Sequence, residues 1–576
     1  MKRREIQVGI SSIDKVKTYV DGALPILSAI CEKIRLAKNI DDNIDSDQSN
    51  RIVSTGVAVK AMVMNIVAKR RALYKLDEFY DVTDTEKLFG EGIHAHNLTD
   101  DVMARALDEL YEMGPKRIMT ETAMSIINKY DIPVTSIHAD TTSKSLYGAY
   151  ASSNDEGEAV HIARGHSKDH RPDLKQIIFG LGVTKDRIIV LGDVADGNTS
   201  DKDWNKDILK ELRENMKTYG LSDFIYVADS ACVTEETLET LAGNGEDKPV
   251  ITFVSRLPGN YKLERELKER ALSNPNDWEE LGAFTDKENG AEYRVQSFEG
   301  KLYDRTYRFI VCHSTQLECR KEKIIESAIK DEKESVSKKI EGFQKREFNC
   351  AEDADNALQV FEKDLKLKYH ELVYGVEAVE RPVKRGRRGR PSKNEVPQVE
   401  TIYKGSIQIY NDDIRIQKCK DKASLFVLIT NADEKSMNNK TVLKEYKDQS
   451  SVETSFRVLK DPYFIDELFV KTPERVEALS YVMLIALMLL TLLERTVREN
   501  LKGEKKPAIV SGKRKTFTPT GVSIIEAFEN VLVMSIYDEE KDGWERHCRL
   551  KDNQKRLINL SGFDESIYIE ALKKMG

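Results

Sequence analysis

From Leu479 to Leu493 the chain reads LSYVMLIALMLLTLL, the most apolar stretch in its 576 residues. A bilayer-spanning helix needs about 20 apolar residues, so this shorter run predicts a helix buried inside protein. A helix that is apolar on every side has to be surrounded, and the rest of the chain must supply a core large enough to enclose it. The composition allows that. Hydrophobic residues make up 40% and charged residues 33%, the balance of a folded, charge-rich chain rather than a disordered one. The 90 Lys and Arg against 98 Asp and Glu leave a net charge of -8. That mild acidity does not decide for or against nucleic acid, because binders act through local patches. The cysteine count is 7, without CxxC pairs, which argues against a disulfide framework or a cysteine-based zinc finger. MKRREIQVGISS at the start lacks the apolar stretch of a signal peptide. The expectation is a cytoplasmic protein with no membrane partner.

Changes of pattern divide the chain. Residues 1–130 read as a helical N-terminal domain, with apolar residues at helical spacing (Val57, Met62, Ile66), a basic cluster at Lys69, Arg70 and Arg71, a helix start at Thr99 and a break at Gly114-Pro115. DNA binding and plain packing are equally compatible with it. Residues 131–257 switch to short β-rich runs: PVTSIHAD, AVHIAR, QIIFGLGV, RIIVLGDV, DFIYVAD and PVITFVSRL, with a helix from Thr234 to Leu241. Strands succeeded by helices predict an α/β core with a mixed sheet. Between 258 and 422 that rhythm stops. A hairpin (YRVQSF, LYDRTYRFIVCHS), a charged helix over 316–345 striped by Ile325, Ile329, Val336, Ile340 and Phe343, and a second helix over 351–369 predict an α+β subdomain with a solvated helical hairpin or, alternatively, a dimerisation arm. SLFVLIT returns to the core over 423–500, and 501–576 reads as a C-terminal helical region.

Three carboxylates stand out by position. Asp140 and Asp229 each end an apolar strand, and Glu453 lies in the helix predicted for DQSSVETSFRVLK. Carboxylates at strand ends can converge at one sheet edge, where they suit hard cations such as Mg²⁺. Two such ions about 3.5–4 Å apart can clamp both oxygens of an in-line phosphoryl displacement. In a chain with 98 acidic residues each Asp alone reads more readily as a turn residue, and Asp193, Asp196 and Asp201 read as turn-forming residues beside the site. Tyr446, Glu453 and Lys460 would share one helical stripe, flanked by Gln449 and Arg457, with Val452, Phe456 and Leu459 as the neighbouring apolar face. A helix break near Ser450–Ser451 would take Tyr446 off that stripe.

Together these residues resemble the DDE transposases of bacterial insertion sequences, with an RNase H-like catalytic domain and a Tyr-(2)-Arg-(3)-Glu-(6)-Lys signature. Tyr446, Glu453 and Lys460 match the spacing, while Gln449 stands in place of the arginine. ADTTS at Asp140, GHSKDHRPDLKQ at 165–176, GNTSD at 197–201, VADSA at Asp229 and the apolar helix after YKDQSSVETSFRVLKD agree. The resemblance covers roughly 95–500, and family members carry an insertion before the glutamate helix, here 258–422. It implies that Asp140, Asp229 and Glu453 hold two Mg²⁺ ions, with Mn²⁺ able to substitute. Tyr446, Gln449, Arg457 and Lys460 then meet DNA phosphates. By their setting, His166, Lys168 and Arg171 read either as substrate contacts or as supports for the residues that make them. The partners it implies are double-stranded DNA, as terminal inverted repeats and target, and a second copy in a synaptic homodimer. Its setting would be the bacterial nucleoid.

KRGRRGRPSK at 384–393 is basic and without an acid; Arg388, Gly389, Arg390 and Pro391 resemble an AT-hook core, and Lys384, Arg385, Arg387, Arg388 and Arg390 are its candidate DNA contacts. The alternative there is a basic loop with unspecific phosphate attraction. His161, His166 and His170, in a polar stretch without cysteine, do not read as a zinc site. The expected activity is Mg²⁺-dependent DNA cleavage and strand transfer, by cut-and-paste. The alternatives are a catalytically silent, repurposed DNA-binding protein and an RNase H-like nuclease without strand transfer.

Overall fold

The computed structural model describes residues 16–44, 51–68, 71–148, 150, 159–215, 220–221, 223–243, 250–284, 290–383, 398–461, 470–538 and 543–569. It divides into two compact units, 1–255 with 443–576, and 256–442.

Five strands organise the first unit. In spatial order they are Ile189–Ala195, Lys175–Val183, Ser136–Leu146, Ile225–Ala228 and Thr252–Arg256, the last ending at the unit boundary. The first three pair antiparallel, and the last two run parallel to the Ser136–Leu146 strand. A short turn suffices for the antiparallel hairpin, whereas the parallel pairs need crossovers. Helices Asp201–Asn215 and Glu235–Ala242 lie in those crossovers. Three antiparallel and two parallel strands in this order make an RNase H-like mixed sheet. Along Lys175–Val183 every residue after the first is buried, as in a strand covered on both faces. At Gly180 a Cβ would fall 2.1 Å from the Trp204 ring, so the indole of the crossover helix lies directly on the strand. AVHIAR, expected as a strand, contributes one isolated bridge, Ala163 to Gln176.

The apolar run forms the centre of helix Pro473–Leu501, in which every residue from Ala478 to Glu494 is buried. Thr472 caps its start by accepting from the Arg475 N–H, and Pro473 occupies its first turn. The helix is long and apolar enough to cross a membrane, yet 94% of its most apolar window is buried in protein. Helices Thr55–Ala68, Asp100–Glu112 and Pro115–Lys129 and the Ile189–Ala195 strand pack around it. Polar groups in its buried stretch find partners: Thr491 Oγ1 donates to Leu487 O at 2.9 Å, Ser480 Oγ donates to Val476 O at 2.6 Å, and Tyr481 Oη accepts from Val194 N at 3.2 Å. Glu494 accepts from Gly521 N at 2.9 Å and pairs with Arg187 and Arg498.

The N-terminal region is helical as expected, with Thr99 capping Asp100–Glu112 and Gly114 at φ 81° ahead of Pro115. One strand, Val16–Tyr19, joins Val533–Asp538 and Gly543–Cys548 in a three-stranded antiparallel sheet. Residues 501–576 therefore combine strands with helices Gly521–Glu526, Asp552–Leu560 and Ser566–Ile569. The reason is long-range: their edge partner comes from the other end of the chain.

The second unit has strands Leu425–Thr430, Arg305–Ser314, Glu292–Leu302 and Glu279–Ala283, adjacent in that order and antiparallel. The hairpin turn at Tyr303 and Asp304 has φ of 48° and 58°, the left-handed pair that matches strand twist. Helices Thr315–Gln344 and Ala351–Leu365 do more than form a solvated hairpin. With the ribbon His370–Pro382 and Val399–Asn411 they enclose a small core of Val336, Ile340, Phe343, Leu358, Leu372 and Ile407. The basic stretch 384–393 lies outside the described residues.

Replacing the fully buried Leu487 by Ala should cost about 2–5 kcal/mol through lost burial and a cavity. A lowered thermal midpoint checks this, and an unchanged one would contradict the central role of the helix.

Candidate active site

Asp140 does not end its strand, which runs on to Leu146 along the Lys175–Val183 partner, but strand register still brings the first two carboxylates together. Ala139 pairs with Ala228 across parallel strands, so Asp140 and Asp229, one residue on in each, come side by side. Asp229 also caps the short turn Ser230–Cys232, its side chain accepting from Ala231 N at 3.0 Å. Ser255 Oγ donates to the Asp229 carbonyl at 2.7 Å and ties the next strand to it. Thr141 N donates to Asp140 Oδ1 at 2.7 Å. Burial pushes the Asp140 carboxyl up to about 6, opposed by Lys168 and the Thr141 amide and reinforced by Asp229 and Asp201. Burial likewise raises Asp229, opposed by the Ala231 amide, with Asp201 raising it further and Lys168 lowering it.

Asp201 and Lys168 complete this group. Asp201, expected as a turn residue, opens helix Asp201–Asn215 and accepts from Thr141 Oγ1 and from Lys168 Nζ, the latter at 3.0 Å. Lys168 Nζ stands 3.9 Å from Asp140 Oδ1. Other residues of that loop face elsewhere. His166 is exposed, and exposed Arg171 forks onto Asp173 at 2.9 and 2.7 Å.

Glu453 lies exposed on helix Ser450–Leu459. Val452, Phe456 and Leu459 are buried on its other side, and the helix packs against the Asp140 strand and its neighbour Lys175–Val183. Gln449 is the junction with helix Asn439–Asp448. Its N–H bonds Tyr446 O at 3.3 Å, and Val452 N bonds Gln449 O at 3.1 Å. These three-residue bonds tighten the turn, so Tyr446 and Glu453 do not lie on one unbroken helix. Lys460 caps the C-terminal end and pairs with Asp169 at 2.5 Å. Arg457 is exposed, with its guanidinium 3.4 Å from Thr454 Oγ1.

Two contacts were not visible in the sequence. His138, two residues before Asp140 and fully buried, lies 3.1 Å from Ser136 Oγ and 3.8 Å from Glu445 Oε2, and burial pushes it down to about 4. The neutral ring makes no ion pair at that distance; it packs beside Glu445 where helix Asn439–Asp448 approaches the Asp140 strand. Asp193 accepts from Trp204 Nε1 at 3.0 Å and pairs with Lys116 at 2.8 Å, anchoring the N-terminal helices to the sheet. His beside an aspartate strand end was a weak signal for the first; nothing local marked the second.

The donor chemistry fits a hard divalent cation in one respect. Asp140 and Asp229 are adjacent, partly desolvated carboxylates, the donor type hard cations take, with the Lys168 ammonium as the nearby positive charge. Among the described residues no group of three or more His, Cys, Asp or Glu side chains is close enough to hold a metal ion. The structure thus joins Asp140, Asp229, Asp201 and Lys168, and Glu453 is on the neighbouring helix.

Residues 181–489 match the family described as the transposase DDE domain. That span contains Asp229 and Glu453 but not Asp140. Residues 16–124 match a domain of unknown function, DUF4277. No curated protein matches the chain. Among solved structures, a piggyBac transposase synaptic complex with hairpin DNA aligns with a TM-score of 0.39 and 12% identity, over 87% of this chain and 79% of that one.

The raised Asp140 carboxyl has a pH signature. Between the ordinary 3.8 and about 6 the unfolded chain binds fewer protons at this group than the folded chain. Stability from this group therefore falls as pH rises through that window and is constant above it. Without added divalent ion, Asp140→Asn should match the unmodified chain near pH 4 and exceed it at pH 7 by on the order of 2 kcal/mol. Paired melting curves at the two pH values check this, and a gap that does not change with pH would contradict it.

Proposed function

This chain belongs to the DDE transposase family, and on that premise we propose that it binds the terminal inverted repeats of an insertion sequence and cleaves and transfers their strands. The observation that carries this reading is the register of Ala139 with Ala228, which sets Asp140 and Asp229 abreast. The family match over Asp229 and Glu453 supports it.

Members of the family generally use divalent metal ions. In this reading Asp140, Asp229 and Glu453 would hold two Mg²⁺ ions, or Mn²⁺, supplying an activated water or 3′-hydroxyl and a stabilised leaving oxygen. The chain's own groups then orient the DNA. Lys460, fixed by Asp169, and Tyr446 would flank the scissile phosphate. Gln449 offers an amide where the family signature has a guanidinium, so it gives hydrogen bonds without the charged fork. Exposed Arg457 on the same helix face carries a guanidinium one turn beyond Glu453. His166 and Arg171 extend the contact along the loop, and the basic residues of 384–393 add phosphate or minor-groove attraction. Two element ends must be held and cut together, which calls for a homodimer on double-stranded DNA. Cut-and-paste movement follows if both strands are released.

Changing Glu453 to Gln should abolish cleavage and joining on a duplex carrying the gene's own flanking ends, by at least about 10³-fold, with DNA affinity preserved. Binding without cleavage by the unmodified chain would favour a repurposed DNA-binding protein. Cleavage without joined products would favour a nuclease.

A further inference from the structure

The fold uses several contacts to fix where Lys168 stands. Its backbone N–H donates to Ser143 Oγ at 2.8 Å. Next to it, Asp169 accepts from Ser145 N and Oγ, both at 3.2 Å, and from Lys460 Nζ at 2.5 Å. Ser143 and Ser145 are alternate residues on the Asp140 strand, so the loop is stitched along one side of it. From that fixed backbone the side chain folds back over the strand. Lys168 Nζ donates to Thr141 O and Thr141 Oγ1, both at 2.9 Å, and to Asp201 Oδ1 at 3.0 Å. Those acceptors match the three donors of an ammonium, which is 3.9 Å from Asp140 Oδ1 and only 30% exposed. A lysine reaching for DNA would extend into solvent on its flexible stem. This one sits amid Asp140, Asp201 and, through its field, Asp229.

We propose that Lys168 is the resident counter-ion of the Asp140–Asp229 pair, competing with the divalent ion for the same carboxylates and displaced from them when the ion loads. The inference rests on the metal-binding reading given above. Its physical basis is charge. An ammonium and a divalent ion within a few ångströms repel each other strongly in a partly desolvated site, so one yields. Asp201 and Thr141 hold the ammonium when it is docked, and the pinned backbone keeps it within reach after it leaves. In this role Lys168 is a positioning residue, setting how tightly the site takes its ion.

Amine acetylation of the full chain, read by mass spectrometry with and without Mn²⁺, tests the release directly. Labelling of Lys168 should rise several-fold with Mn²⁺, while Lys116, paired with Asp193 and Glu211, should not change. In parallel, Mn²⁺ affinity measured by electron paramagnetic resonance should be about ten-fold tighter for Lys168→Met, as expected when a partly screened like charge is removed. Lys168→Arg, which keeps the charge, should bind as the unmodified chain does. A lysine with only a structural role would move neither readout. Should Lys168→Met not fold, the labelling of the unmodified chain decides alone. Unchanged labelling while Mn²⁺ binds, or unchanged or weaker affinity in Lys168→Met, overturns the proposal and leaves the metal reading intact. No Mn²⁺ bound by the unmodified chain, or binding that survives Asp229→Asn, overturns both.

Discussion

Burial of helix Pro473–Leu501 is the constraint on which the first unit depends. With every residue from Ala478 to Glu494 removed from water, the helix cannot be left exposed on any side. The N-terminal helices cover it from one direction and the sheet edge at Ile189–Ala195 from another. This explains why the N-terminal region, which a linear reading treats as a separate domain, shares one hydrophobic core with the catalytic sheet. It also explains the polar ties there. Asp193 holds Trp204 and Lys116, and Arg475 forks onto Asp108 at 2.6 and 2.7 Å, so that the packed layers also keep their register.

On that rigid platform the sheet can place like charges together. Two carboxylates set abreast, Asp140 within its strand and Asp229 just past the end of the next, repel, and partial burial makes the repulsion stronger. Burial is the main cause of the raised Asp140 and Asp229 carboxyls, and neighbouring carboxylates add to it, Asp229 and Asp201 at Asp140 and Asp201 at Asp229. Backbone amides at Thr141 and Ala231 and the Lys168 ammonium offset part of it. The arrangement is poor for stability and suited to a bound cation, the usual trade at a functional site. Glu453, the third donor in the proposed site, lies on a helix whose apolar side is docked on the same sheet.

Much of this was legible from local pattern. The apolar run, the strand around Asp140, the Thr99 cap and the Gly114-Pro115 break each follow from a short stretch of sequence, as does the buried face of Val452, Phe456 and Leu459. Contacts set by distant residues were not legible. Asp201 looked like a turn residue because its partners, Thr141 and Lys168, lie far from it in sequence. AVHIAR has strand composition but pairs only once, since the neighbouring edge is already used. The strand Val16–Tyr19 finds its partner at Val533–Asp538, which no local signal announces. The tightened turn at Gln449 was half visible: the weakness of the serine pair suggested a break nearby, but the junction falls one residue earlier.

The central claim is that Asp140 and Asp229 form the carboxylate heart of a metal site in this transposase. Anomalous diffraction from crystals of the full chain soaked in Mn²⁺ tests it most directly. The account predicts a peak bridging Asp140 and Asp229 at about 2.0–2.2 Å from their oxygens, with the Glu453 carboxylate within reach of a second ion. Peaks confined to other acidic residues, with none at this pair, would contradict it.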